Sequence, residues 1–165
     1  MLKALIFLVI GGLLGSAGGF AAGIFVYPYI FLADIVATEQ VADIASKQVV
    51  AKGEFIHANP SDPIHYGKGA VTVFDDLVHL ESDFEVGPGP AFHVYLVPSP
   101  EVRGAAEVEN AMFVDLGRLR AFKGSQNYAI PPGVELSNYG SVVIWCKEFG
   151  VLISPASLAF GPTAS

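Results

Sequence analysis

The chain has 165 residues, 52% of them hydrophobic and 15% charged, and a mean hydropathy of +0.51. This composition excludes a disordered chain and is more apolar than that of most soluble domains. Lys3 is the only charged residue before residue 34, so the rest of the chain holds eight of the nine basic and all sixteen acidic residues. Such an acidic domain offers no basic surface that could bind nucleic acid. Anionic membrane surfaces repel it. The single cysteine, Cys146, excludes an intramolecular disulfide framework and a cysteine-based zinc cluster.

The first feature in chain order is a long apolar run. Residues 4–33 contain no charged side chain, whereas a helix needs only about 20 apolar residues to cross a bilayer. We predict a transmembrane signal-anchor helix over residues 1–33, with Pro28 kinking or ending it. Lys3 on one side and acidic residues on the other favour a cytoplasmic N-terminus and a periplasmic or extracellular C-terminal domain. The alternative is a cleaved signal peptide, but the run exceeds the usual 7–15 residues and lacks a clear cleavage site.

Glycine recurs at every fourth position inside this run, at Gly11, Gly15, Gly19 and Gly23. This spacing places the four residues on one helix face, where a second helix packs closely. The pattern predicts a helix–helix partner or a homo-oligomer in the membrane. The alternative is a span that is merely rich in small residues.

The next segment, residues 34–50, mixes apolar with polar and charged residues and fits a 3.6-residue period only loosely. We interpret it as a short amphipathic helical stalk. Residues 51–165 then change character, because Gly and Pro clusters separate short runs rich in Val, Ile, Phe, Tyr and Leu. That pattern is typical of an all-β domain.

The runs in this domain predict an opening strand and eight further strands. They are Glu54–His57, Gly69–Phe74, Leu77–Phe84, Phe92–Val97, Met112–Leu119, Asn127–Ile130, Ser141–Lys147, Val151–Ser154 and Ala156–Phe160. No helical pattern lies between them, so a parallel sheet with crossover helices is not expected. The predicted fold class is an antiparallel sandwich or flattened barrel of about 8–9 strands.

Recognised catalytic motifs are absent from the sequence. It has no G-x-S-x-G elbow, P-loop, dinucleotide fingerprint or H-E-x-x-H motif, so no catalytic constellation is predicted. Glu81, Asp83 and Glu85 alternate along a predicted strand and are interpreted as a solvated face rather than an ion site.

Cys146 ends an apolar run in which Val142, Ile144 and Cys146 share one face of a predicted strand. Lys147 then points away from the thiol. An apolar setting and an acidic domain both disfavour the thiolate. A packed structural cysteine is the ordinary interpretation, and a redox-active or ligating sulfur is the alternative.

Two of the four histidines, His79 and His93, fall on strands that the prediction allows to be neighbours. Whether their side chains share a face depends on strand register. Hydrogen-bonded or surface histidines are the ordinary interpretation. If one of them approached Cys146, a sulfur and imidazole pair would suit haem iron or copper.

Short segments follow one another in a specific order between about residues 52 and 160. They are Gly53-Glu54-Phe55, Gly67-Lys68-Gly69-Ala70 leading into Val71-Thr72-Val73, Leu80-Glu81-Ser82-Asp83-Phe84, Gly87-Pro88-Gly89-Pro90, His93-Val94-Tyr95-Leu96, Leu116-Gly117-Arg118-Leu119, Lys123-Gly124-Ser125-Gln126-Asn127-Tyr128, Ile130-Pro131, Val142-Val143-Ile144-Trp145-Cys146 and Phe149-Gly150-Val151. Their order resembles that of the DM13 domain family, and the range that they span is about two thirds of the chain.

The resemblance implies a role in electron transfer, often beside haem-binding domains, and a redox protein as partner. It also implies that Cys146 acts as a free thiol or as a cofactor ligand. We therefore predict a membrane-anchored domain outside the cytoplasm that transfers electrons through Cys146. The alternative is a non-redox binding or scaffolding module in which this cysteine is only packed.

Overall fold

The computed structural model describes residues 2–161 of the chain. Helix α1 covers Leu2–Tyr27, and a π-helical turn at Pro28–Leu32 follows it. The α-helix therefore ends directly before Pro28, as predicted, since proline cannot donate to the preceding turn. Together the two elements are long and apolar enough to cross a membrane, judged by length and composition.

Ten strands, one short α-helix and two 3-10 turns, at Ile44–Ser46 and Leu136–Asn138, are the regular elements of the rest of the described chain. The strands and the α-helix are β1 (Val36–Thr38), β2 (Val49–Phe55), β3 (Gly67–Phe74), β4 (Leu77–Leu80), β5 (Glu85–Val86), β6 (Phe92–Val97), α2 (Ala106–Glu109), β7 (Val114–Arg118), β8 (Lys123–Ala129), β9 (Ser141–Cys146) and β10 (Val151–Phe160). The mostly β class is confirmed.

All ten strands belong to one mixed sheet. Its order is β1-β8-β4-β3-β2-β10-β9-β6-β7, and β5 pairs with both β3 and β8. Every pairing is antiparallel except that of β1 with β8. The sheet curves strongly, because β7 at one edge also contacts β8 near the other. The sandwich and the flattened barrel both stay predictions.

The main core lies on the face that this curved sheet encloses. It includes side chains from β2, β3, β4, β6, β8, β9 and β10. A second, smaller cluster covers the other face of β6 and β9, where Tyr95 and Trp145 pack against Val102 and Val108. Strand β9 is therefore buried on both faces.

The predicted helical stalk at residues 34–50 is wrong. This segment contains β1, a 3-10 turn at Ile44–Ser46 and the first residues of β2. Strand β1 pairs in parallel with β8, where Ala37 lies opposite Gly124. A strand forms here because β8 offers it a paired edge far away in sequence, which outweighs a loose local helical period.

Several predicted strand limits also shift. The predicted strand Leu77–Phe84 ends at Leu80, because the chain then turns and the N–H of Phe84 donates to the carbonyl of Glu81 at 3.0 Å. Glu81 and Asp83 therefore do not lie on a strand face as predicted. The two last predicted strands form one strand, β10, whose register shifts between Leu152 and Ser154.

Candidate functional site

Cys146 is the last residue of β9 and lies on its core face. The strand alternates as predicted, since Val142, Ile144 and Cys146 belong to the main core while Val143 and Trp145 pack in the second cluster. Only 3% of Cys146 is exposed. The thiol is therefore shielded from bulk water.

The loop before β6 contacts this sulfur directly. The Sγ of Cys146 donates a hydrogen bond to the backbone carbonyl of Pro90 at 3.3 Å. The next residue, Ala91, has a φ of 51°, and a left-handed conformation costs a non-glycine residue roughly 1–2 kcal/mol. Its carbonyl accepts a hydrogen bond from the backbone N–H of Lys147 at 3.1 Å. A strained loop is thus held against both the cysteine and the residue after it.

Burial raises the pKa of the Cys146 thiol. The backbone N–H groups of Phe149 and Glu148, in the turn between β9 and β10, act in the opposite direction, and the Glu148 carboxylate adds to the increase. The effect of burial outweighs that of the two amides, so the pKa of the thiol is raised overall. The sulfur is accordingly a neutral thiol at physiological pH.

His93 lies on the opposite face of the sheet from Cys146. Phe92 and Val94 on either side of it in β6 enter the main core, so His93 points away from that core. Its Nδ1 lies 2.9 Å from Oδ1 of Asp115 in the neighbouring strand β7. The imidazole therefore belongs to an ion-pair cluster and not to the sulfur site.

Asp115 is the centre of that cluster. Burial raises the pKa of its carboxyl, but hydrogen bonds from His93, from Lys147 and from the backbone N–H of Gly117 outweigh burial and lower the pKa overall. The Nζ of Lys147 lies 3.1 Å from Oδ2 of Asp115. Lys147 is thus turned away from the thiol, as the alternation predicts.

His79 is also directed away from the main core. Its neighbours Val78 and Leu80 in β4 are core residues, and only 8% of His79 is exposed. Its Nδ1 lies 2.6 Å from Oδ1 of Asn127, and its Nε2 lies 3.6 Å from Oε2 of Glu81. Asn127 therefore holds Nδ1 by a hydrogen bond, and the Glu81 carboxylate lies near Nε2 beyond hydrogen-bond distance.

The structure does not bring the two histidines and the cysteine together. Strand β4 pairs with β3 and β8, whereas β6 pairs with β7 and β9, so His79 and His93 are not on neighbouring strands. Within residues 2–161, no group of three or more His, Cys, Asp or Glu side chains is placed to hold a metal ion. The atoms around Sγ are a carbonyl and two amides rather than imidazoles. A haem or copper site at Cys146 does not fit this arrangement.

A cavity of about 810 Å³ lies between the end of α1 and the β domain. Its helix wall begins at Gly19 and ends at Leu32, and its domain wall is formed by residues 89–92 and 118–122. The helix is attached to the domain here, because Leu32 packs against the main core and Pro28 is buried. Pro90 belongs to the wall, so the acceptor of the thiol hydrogen bond is also a cavity-lining residue.

Sequence reasoning missed three features of this region. The Gly-Pro-Gly-Pro run predicted a loop, but nothing in it indicated that the Pro90 carbonyl faces the thiol. Asp115 was not singled out, because its contact with His93 depends on the register of β6 and β7. The cavity depends on where α1 meets the domain, and the amino-acid pattern carries no signal for that contact.

Comparison with known proteins identifies the family. A family model described as "Electron transfer DM13" matches residues 60–158, which is more than half of the chain. No curated protein and no solved structure matches the sequence. The matched range begins in the loop before β3, ends within β10 and contains Cys146. The chain therefore belongs to the DM13 family, whose model describes an electron-transfer domain.

Proposed function

We propose that this protein is a membrane-anchored electron-transfer domain that lies outside the cytoplasm and uses Cys146 as its redox group. The observation that carries the proposal is the hydrogen-bonded thiol of Cys146, the only cysteine of a chain in an electron-transfer family. A redox protein that contacts the domain is the expected electron partner.

The membrane anchor is supported by the character of α1. The side chains of Leu5, Phe7, Leu13 and Phe20 are large, apolar and exposed, so the chain itself offers them no cover. A bilayer provides that cover. The single charge before the span is Lys3, and acidic residues follow it, which favours a cytoplasmic N-terminus.

The chemistry of Cys146 is that of a neutral thiol. Removing one electron from it also releases the Sγ proton, which leaves a sulfur-centred radical. The electron passes to a one-electron acceptor in the partner, such as a haem or a flavin, and the proton passes to solvent. Because no second cysteine is available in the chain, an intramolecular disulfide is excluded as the product.

Association through α1 is a further part of the proposal. A side chain added at Gly11 or Gly15 would meet nothing within 4 Å in the described chain, so this face is open to a second helix. Two copies of the chain, or this chain and another membrane protein, would pack there.

The second candidate function is a tethered recognition module without redox chemistry. It is favoured by the burial of Cys146, which is 3% exposed and has no imidazole beside it. In that case the cysteine only packs, as buried cysteines commonly do.

A titration with ferricyanide, an outer-sphere one-electron oxidant, distinguishes the two functions. The full chain in lipid nanodiscs should consume one equivalent, and Cys146→Ser should consume none while keeping the same circular dichroism. A matched control, Ser82→Cys in the Cys146→Ser background, places a thiol on the exposed surface. If the folded wild type consumes no oxidant while the exposed thiol does, the recognition module is correct.

A further inference from the structure

We infer that the cavity between α1 and the β domain binds one anionic phospholipid of the outer leaflet, with the guanidinium of Arg118 on its phosphate and its acyl chains along Gly19 and Gly23. This inference rests on the membrane anchoring proposed above. It assigns a ligand site to a region that the electron-transfer role does not explain.

The cavity is about as tall as one leaflet of a bilayer. Its helix wall extends from Gly19 to Leu32, a rise of about 20 Å at 1.5 Å per residue. One leaflet contributes about half of a 30 Å hydrocarbon core, to which the interface adds several ångströms. The wall therefore has the height of a single lipid layer.

The lining of the cavity is mostly apolar. A side chain added at Gly19 or Gly23 would meet nothing within 4 Å, so these two glycines leave room along the helix. Phe122 and Leu119 face the same space from the domain. Tyr27 and Phe31, whose ring centres are 5.0 Å apart, line its outer end, the level at which interfacial aromatic side chains lie.

The charged residues of the lining are all basic. The residues that line the cavity include two arginines and no Asp or Glu, although the chain as a whole carries a net charge of −7. Arg120 is already neutralised by Glu39, with Nη2 2.8 Å from Oε2. Arg118 is exposed and forms no ion pair with any described residue. The lining of the cavity thus includes one positive charge that no described acidic residue pairs with.

The positive charge of Arg118 favours an anionic phospholipid over other occupants of the cavity. A phosphate accepts hydrogen bonds from a guanidinium in a planar, charge-assisted geometry. An uncharged membrane-soluble quinone would leave the charge of Arg118 uncompensated. Residues 4–33 of a second copy carry no acidic side chain, so a second transmembrane helix in the cavity would also leave the charge of Arg118 uncompensated.

Native mass spectrometry of the full chain released from nanodiscs tests the inference. With equal phosphatidylglycerol and phosphatidylcholine, we expect one retained lipid per chain and roughly fivefold enrichment of phosphatidylglycerol, the ratio for about one favourable charge contact. Arg118→Gln should remove the enrichment, and the exposed control Arg103→Gln should keep it. Gly23→Leu should fill the cavity and lose the lipid, whereas Gly11→Leu, outside the cavity, should retain it.

Several results would overturn the inference. They are no retained lipid, equal amounts of the two lipids, the same enrichment in the Arg118 and Arg103 variants, a retained quinone, or a dimer that forms in place of the lipid. Extraction of membranes with alkaline carbonate distinguishes failure of the lipid-site inference from failure of the proposed membrane anchor. A chain released by carbonate contradicts the anchor, whereas one that stays in the membrane without selective lipid contradicts only the lipid site.

Discussion

The thiol of Cys146 and the carbonyl of Pro90 are joined by a hydrogen bond of 3.3 Å that connects the end of β9 to the loop before β6. Pro90 also lines the cavity beside α1. The Cys146 thiol is thus one hydrogen bond away from a residue that lines the space between α1 and the β domain. The proposed membrane anchoring through α1 would therefore bring the proposed redox group near the bilayer.

The accessibility of the thiol gives the first prediction. Because Cys146 is 3% exposed and its pKa is raised, chiefly by burial, a charged thiol reagent should modify native protein roughly a hundredfold more slowly than unfolded protein. The rate is measured with a chromogenic disulfide with and without denaturant. The Ser82→Cys variant in the Cys146→Ser background should react quickly in both states. Fast modification of native Cys146 would contradict the buried geometry.

The raised pKa of Cys146 also predicts a pH dependence of stability. The folded state holds the thiol proton more tightly than the unfolded state, so this contribution is complete below about pH 8.5 and is lost as pH rises toward the folded pKa. Wild type should lose more stability than Cys146→Ala between about pH 8.5 and 9.5. Urea unfolding at a series of pH values measures this difference. Parallel curves for the two proteins would contradict it.

Gly124 tests the pairing of β1 with β8. It has a φ of +84°, and an added Cβ would overlap the carbonyl of Ala37. Gly133 has a similar φ of +87°, but a Cβ there meets nothing within 4 Å. Gly133→Ala should therefore lower the free energy of unfolding by about 1 kcal/mol, from backbone strain alone. Gly124→Ala should lower the free energy of unfolding by about 1–3 kcal/mol more than Gly133→Ala does. Equal losses in the two variants would show that β1 does not approach β8 this closely.

Glu39 links the segment after α1 to β8 and the residues before it through hydrogen bonds. Its carboxylate accepts hydrogen bonds from Nε of Arg120 at 2.9 Å and from the backbone N–H of Asn127 at 2.8 Å. Glu39→Gln should lower the free energy of unfolding by about 1 kcal/mol, a small value because the pair is partly exposed. The exposed control Glu135→Gln should change it by less than about 0.5 kcal/mol.

The same carboxylate predicts an effect at low pH. Burial raises the pKa of Glu39, but the Arg120 and Asn127 hydrogen bonds lower it overall. Its contribution to stability is therefore present above about pH 4.3 and is lost as pH falls through the folded pKa. If wild type and Glu39→Gln lose stability in parallel below this pH, the account of the contact is wrong.

Local sequence patterns predicted those features that depend on neighbouring residues. The end of α1 before Pro28 and the two faces of β9 follow from proline geometry and from alternation. Strand β1 was missed because its partner β8 lies far away in sequence, and pairing outweighed the weak helical period of residues 34–50. The positions of His79 and His93 depend on strand order and register, which single-strand alternation does not determine.

The redox role of Cys146 is tested most directly by voltammetry of the full chain in a lipid film on an electrode. The account predicts a one-electron wave whose midpoint potential falls by about 59 mV per pH unit, because each electron leaves together with the proton of a neutral thiol. The wave should be absent in Cys146→Ser and present in Arg103→Gln. A folded wild-type protein with no wave, or a wave that is unchanged in Cys146→Ser, would contradict the claim that this thiol carries the electron.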